Sequence, residues 1–335
     1  MSHITTLTHH DSRSSGGAPA SPDKPPASRR RLRHIGAVLA GSIVVAALLL
    51  VLANLAFAQS AKKKATPHLK PFLVEDIYPG KTGSEPSNLV NFKGRLLFGA
   101  NHPKFGEELW RSIGTRSGTR LVKDIDPGPL VIKKMEKTET GSSAPDSVLR
   151  TKKWIYFQAT TVKYGEELWK SDGTEKGTKL VKDINTVPGN SNPNDKGDAI
   201  NRSAEVEKLY VVGKTLYFRA SDGKHGVELW KTDGTESGTK LVKDINTGRG
   251  DSDPDQLTAY RGVLLFRADD GVHGSEMWGS DGSKANTALL KDLVPGAVGS
   301  EPGGLTTSGP LLYFAASTPS AGEELWAVLP RGIGR

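Results

Sequence analysis

The 335-residue chain has no cysteine. No disulfide can staple it, and thiolate chemistry and cysteine-metal sites are excluded. It has no H-E-x-x-H, no G-x-S-x-G and no Gly-rich phosphate loop, so the short motifs of zinc proteases, serine hydrolases and nucleotide binders are missing. An excess of positive charge is missing where a nucleic-acid binder would need it. The formal charge is +8, but from Pro71 onward there are 35 basic and 35 acidic residues. A basic stripe is not indicated there, and no nucleic-acid partner is expected. Charge is also missing from Ile35 to Ala58, a run of 24 residues.

That uncharged run is long enough to span a bilayer as a helix. Arg29, Arg30, Arg31 and Arg33 precede it, which predicts a cytoplasmic N-terminus and an exported remainder. Ala56-Phe57-Ala58 before Gln59 is an A-x-A cleavage signal, whereas the length of the run fits a retained anchor. Both readings stay open, as does the choice between the general route and a twin-arginine route. Cleavage gives a periplasmic or secreted protein; retention gives a single-pass, N-in anchor through residues 35–58. Residues 1–34 are expected to be a disordered basic N-region. Residues 59–70 read as a linker and 71–330 as the repeat region.

What is abundant is repetition. Glu-Leu/Met-Trp occurs at Glu108-Leu109-Trp110, Glu167-Leu168-Trp169, Glu228-Leu229-Trp230, Glu276-Met277-Trp278 and Glu324-Leu325-Trp326. The Trp-to-Trp spacings are 59, 61, 48 and 48 residues. Such a period marks a solenoid, propeller or array. The fourth copy shows the unit most clearly. Gln256–Tyr260, Val263–Ala268, Glu276–Ser280 and Ala288–Leu293 read as four short strands, separated by turns rich in Gly and Asp. Four antiparallel strands in about 48 residues make a propeller blade. A Ser-x-Pro step precedes each unit, at Ser84/Pro86, Ser143/Pro145, Ser191/Pro193, Ser252/Pro254 and Ser300/Pro302. Polar insertions near Lys133–Thr140 and Asn194–Glu205 lengthen two spacings.

The ends are out of phase. The array begins with a fourth strand, Leu73–Ile77, and stops after a third, Glu324–Val328. The expected fold is all-β: a five-bladed β-propeller of four-stranded blades, closed by the N-terminal strand and preceded by one hydrophobic helix. Closure removes exposed strand edges.

Glu167-Leu168-Trp169-Lys170-Ser171-Asp172-Gly173-Thr174 and Glu228-Leu229-Trp230-Lys231-Thr232-Asp233-Gly234-Thr235 resemble the motif of bacterial ELWxxDGT repeat proteins. The resemblance covers Pro71 to about Leu329. Copy one departs at Ser112-Ile113-Gly114-Thr115, copy four carries Asp281-Gly282-Ser283, and copy five stops at Ala327. The resemblance implies an exported or cell-surface repeat protein and no particular activity.

Residues used once are usually unique, so the repeated ones are read as structural. Trp110, Trp169, Trp230, Trp278 and Trp326 are expected between blades rather than as sugar platforms. Glu108, Glu167, Glu228, Glu276 and Glu324 are expected to bond turn N–H groups rather than act as acid and base. Asp251, Asp253 and Asp255 alternate as oxygen ligands of calcium do, against the simpler reading of a polar turn. Calcium is the one cofactor suggested. Arg249-Gly250-Asp251 and the matched His225 and His273 carry no specific signal. The reading is an exported, non-enzymatic module binding an envelope or extracellular protein or glycan. The alternative is a propeller-based hydrolase or lyase using axial carboxylates.

Overall fold

The computed structural model describes residues 70–128, 130–132, 137–139, 141–186, 204 and 206–328. Every described strand lies in an antiparallel sheet, and the described residues include no helix. The hydrophobic run 35–58, the N-region before it, Ser191/Pro193 and most of the second insertion lie outside the described residues. Among the described residues no helix is long and apolar enough to cross a membrane.

The first sheet orders β1 (Ser87–Phe92), β2 (Arg95–His102), β3 (Gly106–Ser112) and β4 (Arg120–Lys123) side by side. A small hairpin, β5 (Leu130–Ile132) and β6 (Lys137–Glu139), follows in the first insertion. The second sheet repeats the pattern with β7 (Asp146–Arg150), β8 (Ile155–Thr161), β9 (Gly165–Ser171) and β10 (Lys179–Leu180). The third has β11 (Glu207–Val212), β12 (Thr215–Ser221), β13 (Val227–Thr232) and β14 (Lys240–Lys243). The fourth has β15 (Asp255–Tyr260), β16 (Val263–Asp269), β17 (Ser275–Ser280) and β18 (Ala288–Lys291). The fifth has only β19 (Gly303–Ser308), β20 (Leu311–Thr318) and β21 (Gly322–Val328).

Each sheet behaves as a blade because its second and third strands are apolar on both faces. Leu97 and Leu109 of blade one, with Val122 and Ile125, bury against Ile155, Phe157, Ala159 and Trp169 of blade two. The same layer recurs between blades two and three around Phe218, and between blades three and four around Phe266. The first strands pack beside one another in the order β1, β7, β11, β15, β19. Lysines brace the outer layer. Lys123, Lys182 and Lys243 donate to the carbonyls of Thr178, Thr239 and Thr287 in the following blade, at 3.1, 3.0 and 2.9 Å. The arrangement is all-β and β-propeller-like.

The structure departs from the sequence reading at two points. Residues 71–76 form no strand, and Phe72 and Leu73 are 73% and 78% exposed. β21 therefore has a bare outer edge, and Leu325 is 73% exposed where Leu168 and Leu229 are fully buried. Ile77 is docked on Phe98, Ala100 and Trp110 of blade one, and Glu75 pairs with Arg116 at 3.1 Å. No ladder bond fixes residues 72–76. The second concerns the step expected at Ser191/Pro193, which lie outside the described residues. The equivalent step before blade three is Ala204–Val206: Ala204 N–H donates to Glu166 O, and Ser221 N–H donates to Ala204 O. Ser143 makes the same two bonds, with Glu107 and Thr160. The insertion moves the step thirteen residues along the chain and replaces its serine with alanine.

Candidate functional site

The repeated glutamates are fully buried in blades one to four, and each clasps its own blade. Glu108 accepts the N–H groups of Ile125 and Asp126 at 3.0 and 3.2 Å and the Ser143 hydroxyl at 2.7 Å. Glu228 accepts Ile245 and Asn246 at 3.0 Å and Ser252 at 2.6 Å. Glu276 accepts Leu293 and Val294 at 3.2 Å and Ser300 at 2.6 Å. Glu167 accepts Ile184 and Asn185 at 2.9 and 3.0 Å, but Ala204 supplies no hydroxyl and Oε2 has no partner. Burial raises three carboxyls against the pull of their donors: Glu108 and Glu228 to about 7, Glu167 to about 8. Glu324 is exposed, and no hydrogen bond to its carboxylate forms among the described residues. No two of these carboxylates meet.

Trp110, Trp169, Trp230 and Trp278 are 5–7% exposed; the last three lie in layers between blades, and Trp110 packs under Ile77. None offers a free face to a sugar. Trp326 is half-buried and donates to Ala316 O at 3.1 Å.

The acidic run of the fourth step disperses. Asp251 accepts Val227 N–H at 2.7 Å. Asp253 pairs with Arg219 at 3.5 Å, and Asp255 with Arg267 at 3.4 Å. Three carboxylates with three different partners make no calcium shell, and no group of three His, Asp or Glu holds metal-binding geometry among the described residues. The Arg-Gly-Asp carboxylate is likewise taken by Val227. His225 and His273 each bond the aspartate three residues earlier, at 2.8 Å, on separate turns.

The concave site lies elsewhere. The turns after the first strands of blades one, two and three surround a cavity of about 1030 Å³. Lys93, Arg150, Lys152, Lys153 and Lys214 line it, against the single acid Asp233. Its walls include Phe92, Trp154, Tyr156, Val211 and Leu216. Two cations are seated by backbone carbonyls: Arg150 Nη1 on Asn91 O at 2.8 Å, and Lys93 Nζ on Lys153 O at 3.3 Å. The Trp154 ring lies beneath the ammoniums of Lys153 and Lys170, at 5.2 and 4.9 Å. Burial lowers Lys170 and raises Tyr156, the latter with help from Asp233. At the other end of the first strands the charge reverses. Glu85 and Asp146 are exposed there, Glu207 pairs with Arg219, and Glu301 pairs with Arg267.

The sequence reading missed this cluster, because charge counted along the chain balances. The signal was positional: Lys93-Gly94, Lys152-Lys153 and Gly213-Lys214 occupy equivalent turns. No nucleophile with an adjacent base lies in it.

No family model and no curated protein match the chain. Solved structures do. A puromycin hydrolase aligns over 77% of this chain and 38% of its own, with TM-score 0.42 and 14% identity. Oligopeptidase B from Leishmania major aligns over 76% and 33%, with TM-score 0.39 and 15% identity. A Mycobacterium tuberculosis puromycin-hydrolyzing peptidase aligns over 79% and 40%, with TM-score 0.40 and 11% identity. The chain spans 33–40% of the length of these proteins. All three neighbours are named as hydrolases or peptidases, against the sequence expectation of a non-enzymatic interaction module.

Proposed function

We propose that the propeller serves a hydrolytic reaction as its substrate-holding part, with the bond-breaking groups supplied from outside the described residues. The observation that carries this is the cationic cavity at the first-strand turns of blades one to three. A concave site with apolar walls and a few convergent polar groups is where a substrate binds. The repeated carboxylates do not provide the chemistry, since each is committed to its own blade. The test is hydrolysis of fluorogenic peptides by the full chain and by complexes isolated with it. Peptides bearing acidic residues should be cleaved, and Lys152→Ala/Lys214→Ala should raise their KM while leaving kcat unchanged. Absence of hydrolysis, or equal cleavage by the variant, overturns the proposal.

The same reading extends to the ring and its address. In the closed form Leu73–Ile77 supplies the fourth strand of blade five, and Glu324 accepts the N–H groups of Ile77 and Tyr78. Three features support this. Ile77 sits on blade one as Ile125 sits on blade two. Ser84 O accepts Asn101 N–H at 2.7 Å, as Ser143 O accepts Thr160 N–H. Glu324 and Leu325 are bare where their counterparts are clasped. Export of this ring across the cytoplasmic membrane is supported by the resemblance to exported ELWxxDGT repeat proteins and by the hydrophobic run 35–58. N-terminal sequencing of the mature protein separates cleavage, with Gln59 first, from anchoring.

A further inference from the structure

We infer that the cationic cavity takes an acidic peptide, with its Asp or Glu carboxylates distributed over three turns. The inference rests on the reading of this face as the substrate-holding one and names the substrate class.

Five cations meet one acid, and among the described residues none of the five has a carboxylate in ion-pair distance. Asp233 is itself occupied, accepting the Thr235 N–H at 2.8 Å and the Thr235 hydroxyl at 2.7 Å. Arg150 and Lys93 are held by neutral carbonyls, which fixes their position without neutralising their charge. Charges preset in this way lose little side-chain freedom on binding an anion, and guanidinium presents a fork that matches a carboxylate. The cavity is far larger than one small anion needs and fits a segment of several residues.

The walls select among anions. Sugars want an aromatic face to stack on, and the Trp154 ring is taken by Lys153 and Lys170. The exposed Val211 stands among the cations instead and offers contact to the methylenes of glutamate, above the buried Phe92 and Leu216. The acidic opposite end of the first strands repels the same ligand, so it is held at one face.

Fluorescence anisotropy of the full chain with labelled hexaglutamate tests this without any turnover. Hexaglutamate should bind, weaken as salt rises, and lose at least tenfold in affinity with Lys152→Glu/Lys214→Glu, two exposed turn positions. Arg150→Lys is the second variant: it keeps charge but loses the fork, and should weaken binding several-fold. Three outcomes overturn the inference. They are no binding of hexaglutamate, tighter binding of a hexauronate, and binding unaffected by the charge reversal. Binding without hydrolysis would leave the peptide site standing and remove the hydrolytic reading alone.

Discussion

Blade two lacks one hydroxyl that its neighbours have, and restoring it is a quantitative test of the clasp. Ala204→Ser places a donor where Ser143, Ser252 and Ser300 stand before the other blades, each fully buried and 2.6–2.7 Å from a glutamate oxygen. The site accepts serine in those blades, so the substitution costs little space. Its partner is Glu167 Oε2, buried and unbonded. Against a neutral carboxyl the new bond contributes about 1 kcal/mol, and against a carboxylate about 1.5–3 kcal/mol. The same bond acts on protonation: the Ser143 and Ser252 hydroxyls pull Glu108 and Glu228 down against burial, and Glu167 lacks that pull. The sign follows from the raised value. An unfolded glutamate titrates near ~4.3, so the folded state holds its proton longer, and Glu167 favours the fold fully below that range. The contribution is lost as pH climbs to about 8. Ala204→Ser should therefore stabilise at pH 5 and stabilise more at pH 9, by an additional ~1 kcal/mol. Urea denaturation at both pH values reads this directly. A gain that is equal at both, or a loss, would refute the hydroxyl as the cause.

Other perturbations follow from the same layers. Ser252→Ala should do the reverse in blade three, raising Glu228 toward the value of Glu167 and costing about 1–3 kcal/mol in thermal or urea unfolding. Phe218→Ala empties a fully buried site between blades two and three and should cost about 3–5 kcal/mol by urea denaturation. Gly226→Ala forces a φ of +64° on a residue with a side chain and drives its Cβ into the Gly250 carbonyl. It should cost about 1–3 kcal/mol by thermal melting.

The sheets were legible because each repeats a short apolar run, and both faces of that run are buried. Phe98, Phe157, Phe218, Phe266 and Phe314 fall at one position of the second strand. The glutamate and tryptophan of copies one to four are buried within the blades, whereas Glu324 of copy five is exposed. What escaped was whatever depends on chains coming together in space. Ala204 replaces a serine only in the sense of bonds made, and Ser191 was the better match by pattern. The cationic cavity is spread over turns some 60 residues apart, each unremarkable alone. Asp251, Asp253 and Asp255 looked like a shell because alternation in sequence says nothing of the arginines opposite. The phase of the ends was readable, yet the pairing it implies needs segments about 250 residues apart to meet, where loop closure opposes them.

The most direct test of the ring uses the absence of cysteine. In blade one Arg111 lies opposite Arg120 and Trp110 opposite Leu121. Carried to the fifth blade, that register sets Ala327 opposite Phe72. Phe72→Cys/Ala327→Cys should oxidise to an intramolecular disulfide, while the out-of-register Phe72→Cys/Glu324→Cys stays reduced. A closed ring predicts that difference on non-reducing electrophoresis and peptide mapping. Free thiols in the first pair, or equal oxidation in both, would contradict it.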